Sequence, residues 1–216
     1  MNVSQAYPAT AASHRHLPRL TAAAYQRNAI IHWSMTLHNR ETGWLAPLFH
    51  ATFRELLLHT LVRHDLFCPA YCLMPDHLHL LWMGTSPASD QRQAAKFFRT
   101  QMDRLLAPRK LQRQAHDHVL REQDRQRGAF QKIAFYILEN PVRAGLVAAA
   151  SAYPFSGVLI PGYPDLDVFS AEHWDLFWRL YDAALKRSDW RDGALAGRTL
   201  TSAATGEAAT DAALEM

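Results

Sequence analysis

The chain has 216 residues, of which 49% are apolar, and it carries a formal net charge of +3 with a pI of about 9.0. This length is sufficient for one domain with a substantial core. No apolar run approaches the roughly 20 residues of a membrane-spanning helix, residues 1–15 lack a signal-peptide pattern, and 2 cysteines are too few for a disulfide scaffold. We therefore expect a cytoplasmic protein that does not bind a membrane.

Hydrophobic periodicity is confined to the interior of the sequence. Residues 1–15 are rich in Ala, Ser and Thr, which predicts a disordered lead. Small residues without a period dominate residues 189–216, which predicts a disordered tail. Residues 16–188 are expected to form a single domain that ends in a helical extension.

The first half of this domain predicts a strand, a helix and a hairpin. Residues 29–38 alternate apolar and polar side chains, as a half-buried strand does. Apolar residues recur at helical spacing over residues 46–64. Two further strands, over 67–74 and 77–83, flank a tight Pro-Asp turn, so we expect them to pair as an antiparallel hairpin.

The middle of the domain predicts a helix followed by a polar segment. The helix covers residues 91–106, with Ser89 or Asp90 as its N-cap. Residues 115–121 contain two histidines and show no apolar period, so they are interpreted as a polar connection.

Two helices are predicted in the last part of the domain. One covers residues 124–139 and ends at Pro141, which should displace the preceding Asn140 from helical geometry. The other covers residues 171–186. The order of elements fits an α+β fold of the ferredoxin-like kind, a sandwich in which helices pack on one antiparallel sheet, with a possible further strand late in the chain.

Two histidines at the start of the third predicted strand form the first candidate site. His77 and His79 flank Leu78, and side chains alternate across a strand, so both imidazoles lie on one face. Such a pair can bind one metal ion, although two structural histidines at a strand end are the alternative. Two imidazoles do not complete a divalent site, so a third ligand and open positions are expected.

Tyr136 and Asn140 form the second candidate site. They are four residues apart, so they lie on one side of a helix. A half-buried ring and an Asn cap are one interpretation. The other is a phenol nucleophile beside an amide that binds a metal ion. Tyrosine is a poor nucleophile because its pKa is near 10, and a divalent ion that polarises a phosphate compensates for this.

These residues lie in stretches that resemble a known family. Met74 to Leu80 resembles the HUH motif (His, bulky hydrophobic residue, His) of single-tyrosine transposases in the IS200-like superfamily. Residues 136–147 resemble the tyrosine motif of the REP-associated tyrosine transposases, and residues 117–121 resemble a segment that this family carries before the tyrosine helix. The resemblance extends over about residues 15–160, with the motifs in the family's order.

The resemblance implies the HUH endonuclease fold and a DNA substrate. The substrate would be single-stranded DNA or a DNA hairpin of repetitive palindromic type, bound by a monomer or homodimer at the nucleoid. Tyr136 would attack the scissile phosphate and form a 5′-phosphotyrosine, which leaves a 3′-hydroxyl that can reverse the reaction or join a new end. His77, His79 and Asn140 would hold Mg²⁺ or Mn²⁺.

Basic residues are then candidates for contacts with the DNA backbone, a solvated surface being the alternative for each. Two of them, Arg121 and Arg143, lie close in sequence to the tyrosine segment. The other six lie on or just after the helix predicted over 91–106: Lys96, Arg99, Arg104, Arg109, Lys110 and Arg113.

Two alternative functions follow from the same residues. Cys68 and Cys72 precede the histidines closely enough to suggest a zinc-stabilised binding module, although both also fit as buried strand residues. The second alternative is a DNA-binding descendant of the transposases that has lost catalysis.

Overall fold

The structure, a computed structural model, describes residues 20–164 and 166–187. The predicted lead over 1–15 and the predicted tail over 189–216 lie outside these residues. Within them no helix is both long enough and apolar enough to cross a membrane.

Among the described residues, five strands form one sheet in which all neighbouring strands are antiparallel, in the order β4-β1-β3-β2-β5. The strands are β1 (Ile30–Thr36), β2 (Leu66–Met74), β3 (His77–Gly84), β4 (His116–Val119) and β5 (Ser156–Leu159). The helices are α1 (Pro47–Arg63), α2 (Gln91–Leu106), α3 (Arg127–Leu138), α4 (Asn140–Arg143) and α5 (173–187).

The first six elements follow the order β1-α1-β2-β3-α2-β4, and their strands lie in the order β4-β1-β3-β2. This is the topology of a ferredoxin-like sandwich, to which β5 is added at the β2 edge. The predicted fold class is therefore confirmed, as are the hairpin and the predicted strand late in the chain.

Local sequence signals predicted where α1 and α2 begin. Pro47 stands in the first turn of α1, where its missing N–H is not needed. The Asp90 side chain accepts hydrogen bonds from the backbone N–H groups of Arg92 and Gln93, which confirms it as the N-cap of α2.

Two predictions about the third quarter of the chain were wrong. Residues 115–121 contain β4, which pairs with β1 at the edge of the sheet. Its side chains are half-buried or exposed, so a buried apolar face was not there to signal a strand. The helix predicted from residue 124 begins at Arg127, after a short 3-10 turn over Glu122–Arg125.

The sheet is covered on both faces. Alternate residues of β1, including Ile31, Trp33 and Met35, pack against α1 and α2. The opposite face packs against α3 and α5 through residues such as Leu81 and Met83 of β3. Because both faces are covered, all nine residues of β2 are buried.

Aromatic rings join α3 to α5. The ring of Phe130 lies 5.9 Å from Trp174, 5.9 Å from Phe177 and 5.1 Å from Trp178, measured between ring centroids. This cluster fixes α3 on the sheet face that also bears the two motif histidines.

Candidate active site

The tight turn between β2 and β3 places the histidine pair. Met74 pairs with His77 and Cys72 pairs with His79 across the hairpin, so His77 is the first residue of β3. Alternation puts both imidazoles on the face that carries Leu81, which is the α3 face. The two imidazoles therefore share a face of the strand, as the sequence predicted, and their Nε2 atoms lie 3.1 Å apart, so the rings converge.

A carboxylate fixes the orientation of His77. The Nδ1 of His77 lies 2.6 Å from Oδ1 of Asp76, and Arg40 donates to the other carboxylate oxygen over 2.7 Å. Burial alone would raise the pKa of Asp76, but the hydrogen bonds from His77 and Arg40 bring that pKa below its usual range. An ionised carboxylate only accepts, so Nδ1 of His77 donates to Asp76, and Nε2 of His77 faces His79.

A third histidine contacts this pair. The Nε2 of His32, on β1, lies 3.0 Å from Nδ1 of His79. Burial, with smaller effects from the nearby His32, His77 and Arg143, lowers the pKa of His79 to about 3. Burial is also the main cause that lowers the pKa of His32 to about 4. Both rings are therefore neutral near pH 7, the form that binds metal ions.

The end of α3 differs from the prediction. Asn140 was expected to leave helical geometry before Pro141, but it begins the short helix α4. Glu139 keeps helical dihedrals (φ −84°, ψ −2°), so the chain passes from α3 into α4 without an extended residue. Pro141 then occupies the first turn of α4, where its missing N–H is not needed.

Arg143 joins the tyrosine to the asparagine. Its guanidinium lies 4.0 Å from the centroid of the Tyr136 ring and donates to the Tyr136 carbonyl over 2.6 Å and to Asn140 Oδ1 over 2.9 Å. The Asn140 amide in turn donates to the carbonyls of Ile137 (2.9 Å) and Tyr136 (3.3 Å). Tyr136 remains 55% exposed, so its phenol is open to a large substrate.

The histidine pair fits a divalent cation. His77 and His79 present converging Nε2 atoms, and the partners at their Nδ1 atoms are of the kind that orient metal-bound imidazoles. A carbonyl oxygen has two lone pairs, so Asn140 Oδ1 can accept from Arg143 and still bind an ion. Within residues 20–164 and 166–187, no three His, Cys, Asp or Glu side chains are grouped to hold a metal.

The geometry does not support the zinc module. Cys68 packs in the core cluster on the α1–α2 face, whereas Cys72 packs in the cluster on the α3 face. Burial raises the pKa of the Cys68 thiol far above its usual value and that of Cys72 to about 12, so both remain thiols.

The predicted DNA-binding residues are not gathered around the histidines. Lys96, Arg99 and Arg113 line a cavity of about 560 Å³ beside Trp33, on the opposite face of the sheet. Arg143 alone of the predicted set is near His79, whose pKa its charge helps to lower. Of the remaining four, Arg104 donates to Gln101 and Arg121 precedes the 3-10 turn. Arg109 is 3.7 Å from Glu41, and the Lys110 carbonyl accepts from His38 N–H.

Three residues of the histidine site were not identified from the sequence. Asp76 and Arg40 support His77, and His32 contacts His79. His32 stood on the polar face of the first predicted strand, but only the register of β1 against β3 brings it to His79. A short sequence pattern contains no information on that register.

Comparisons with known proteins agree with this architecture. No family model matches the chain, and no curated protein matches it. Among solved structures, the chain is similar to a REP-associated tyrosine transposase bound to a REP hairpin, with a TM-score of 0.50 and 22% sequence identity. The match covers 65% of this chain and 81% of that protein. At this identity the likeness shows a shared fold alone, an α+β sandwich in which helices pack on one antiparallel sheet.

Proposed function

We propose that this protein is a metal-dependent tyrosine transposase that cuts and rejoins single-stranded DNA. The observation that carries the proposal is the converging pair His77 and His79 on the sheet face that also holds α3, the helix of the exposed Tyr136. The similarity in fold to a transposase bound to a DNA hairpin supports a DNA substrate of the same class.

The proposed reaction is a transesterification. The phenolic oxygen of Tyr136 attacks the scissile phosphorus, the bond from phosphorus to the 3′-oxygen breaks, and that oxygen leaves as a hydroxyl after taking up a proton. The DNA 5′-phosphate then remains on Tyr136, and a 3′-hydroxyl can attack it to restore or exchange the strand. Bound Mg²⁺ or Mn²⁺ supplies Lewis-acid charge that stabilises the phosphate oxygens during attack.

Individual side chains have separate roles in this proposal. His77 and His79 would hold the ion through their Nε2 atoms, and Asn140 would contribute its amide oxygen. Arg143 packs against the Tyr136 ring at 4.0 Å, which restricts the ring and adds positive charge beside the phosphate. The exposed phenol needs no opening of the core to reach DNA.

The cavity lined by Lys96, Arg99 and Arg113 gives the DNA a second contact region. By alternation along β1, Trp33 faces this cavity whereas His32 faces the active site. The two regions therefore lie on opposite faces of the sheet. Three Asp side chains also line the cavity, but they accept hydrogen bonds from the α2 N-terminus, Leu111 N–H and Tyr25 Oη.

Formation of a covalent adduct tests the proposal. The protein is mixed with labelled single-stranded oligonucleotides that carry the palindromic repeats flanking its own coding sequence, with Mn²⁺ or Mg²⁺, and the products are separated under denaturing conditions. We expect a protein–DNA adduct that is absent in Tyr136→Phe and strongly reduced in His77→Ala and in His79→Ala. Tyr163→Phe is the matched control, because Tyr163 is also exposed (41%) but lies after β5 and outside α3.

Other outcomes contradict the proposal in different ways. Absence of an adduct with the wild-type protein on these repeats would leave a DNA-binding module without catalysis. Cleavage that persists in Tyr136→Phe would indicate a hydrolytic nuclease that uses water as its nucleophile.

A further inference from the structure

His32 contacts the histidine pair but has no role in the proposed chemistry. It lies in β1, between His118 of β4 and Leu81 of β3. Its ring is tilted by 43° to the ring of His79 at a centroid distance of 5.1 Å, and the two nearest nitrogens are 3.0 Å apart. This separation is that of a hydrogen bond, so one of the two nitrogens carries the shared proton.

The position of that proton follows from the hydrogen bonds of His77, which contacts His79 on the side away from His32. In the neutral form of His77, the form that can bind a metal ion, the proton lies on Nδ1 beside Asp76, and Nε2 is then an acceptor. The hydrogen bond of 3.1 Å between the two Nε2 atoms then requires a proton on Nε2 of His79. Nδ1 of His79 is consequently an acceptor, and Nε2 of His32 donates to it.

Metal binding requires the opposite arrangement. A cation between the Nε2 atoms needs both lone pairs, so His79 must carry its proton on Nδ1. Nδ1 of His79 then donates to Nε2 of His32, and His32 carries its own proton on Nδ1. Each ring holds one proton before and after the exchange, so the three imidazoles gain and lose none.

We propose that His32 is a positioning residue for the metal site, because it can accept from or donate to Nδ1 of His79 and so stabilises the tautomer that binds the ion. This inference rests on the proposed function, in which His77 and His79 bind the cation. His32 would not touch the metal or the DNA; it would act only through the ring of His79.

Two substitutions at His32 distinguish the effect of its hydrogen bond on metal binding from the effect of its ring volume. His32→Phe keeps a planar ring but cannot hydrogen-bond, whereas His32→Gln has an amide that can donate or accept. His118→Phe is the matched control, because His118 is an exposed histidine directly opposite His32 on β4.

Binding of Mn²⁺ to the full chain is measured by electron paramagnetic resonance of the free ion, without DNA. We expect about 10- to 100-fold weaker binding in His32→Phe, the usual effect of removing a partner that orients a ligand. His32→Gln and His118→Phe should bind within a few-fold of the wild-type protein. Wild-type affinity in His32→Phe, or equal losses in His32→Phe and His118→Phe, would overturn the role of His32.

The tautomers give a second measurement that does not depend on activity. Nitrogen-15 NMR of labelled histidines should show the His79 proton on Nε2 without metal and on Nδ1 with saturating Mg²⁺. A proton that stays on Nε2 of His79 at saturating Mg²⁺ would overturn the inference. If the wild-type protein binds neither ion, the metal-dependent proposed function fails together with this inference, whereas wild-type binding that His32→Phe leaves unchanged refutes the inference alone.

Discussion

Replacement of Asn140 by Asp should separate its two roles, because only one of them needs the amide nitrogen. That nitrogen donates to the carbonyls of Ile137 and Tyr136 at the end of α3, over 2.9 and 3.3 Å. The amide oxygen faces Arg143 and is the proposed metal ligand. Asn140→Asp keeps an oxygen that faces Arg143 but loses both hydrogen bonds donated by the amide nitrogen. Asn140→Ala loses the oxygen as well as both of these hydrogen bonds.

The expected effect on stability follows from these two hydrogen bonds. Each contributes about 0.5–1.5 kcal/mol net, and the longer, exposed one lies at the low end, so both variants should lose about 1–2 kcal/mol of unfolding free energy. For a domain of this size, that corresponds to a decrease of about 2–8 °C in Tm. The carboxylate of Asn140→Asp also faces the negative end of the α3 dipole, which adds to its loss.

The two variants should differ in metal affinity. Asn140→Asp should bind Mn²⁺ at least as tightly as the wild-type protein, because a carboxylate oxygen replaces the amide oxygen, and Asn140→Ala should bind it more weakly. Tm is measured by calorimetry in the presence of a chelator, so that bound ions do not affect it, and Mn²⁺ affinity is measured separately. An unchanged Tm in Asn140→Ala would refute the capping role, since in Asn140→Asp the stronger hydrogen bond from Arg143 to the carboxylate offsets part of the loss. Equal losses of Mn²⁺ affinity in both variants would refute the ligand role.

Two further predictions concern the scaffold. Gly84→Ala should lower the free energy of unfolding, measured in urea, by about 3 kcal/mol, because the new Cβ would lie 1.7 Å from the Arg27 carbonyl oxygen. Gly128→Ala should raise the free energy of unfolding by up to about 1 kcal/mol, because a Cβ at this position in α3 meets open space; equal effects of the two substitutions would contradict the packing at Gly84. Burial, with a smaller contribution from the Arg54 charge, lowers the pKa of His50 from 6.5 to about 4, so the folded state loses stability as the pH falls from 6.5 towards 4. His50→Gln should reduce that loss when urea titrations are compared at pH 7 and pH 4.5, and an unchanged pH dependence would contradict it.

The sequence predicted most of the scaffold because its signals are local. Alternation defined β1, helical spacing defined α1, and Asp90 defined the start of α2 within a residue. The strand β4 was missed because its edge position leaves no buried apolar face to produce a pattern.

The candidate site was predicted only in part, because the missing contacts are not local. His77 and His79 are two residues apart in one strand, and alternation was enough to place them together. The contact of His32 with His79 depends on pairing between β1 and β3, which are separated by a helix and another strand. Asn140 was misplaced because the rule for residues before proline is a preference, and the packing of α4 outweighs it here.

The attachment of α5 has a consequence for synthesis of the chain. The hydroxyl of Tyr181 donates to the carbonyl of Gly84 at the end of β3, and 97 residues separate the two in sequence. During translation, strands β1 to β4 therefore leave the ribosome well before the helix that covers them, and the outer rings of Phe130 and its neighbours stay in water until then. We expect the unfinished chain to present an aromatic surface that attracts chaperones and favours aggregation, and α3 to reach its final position only once α5 has emerged.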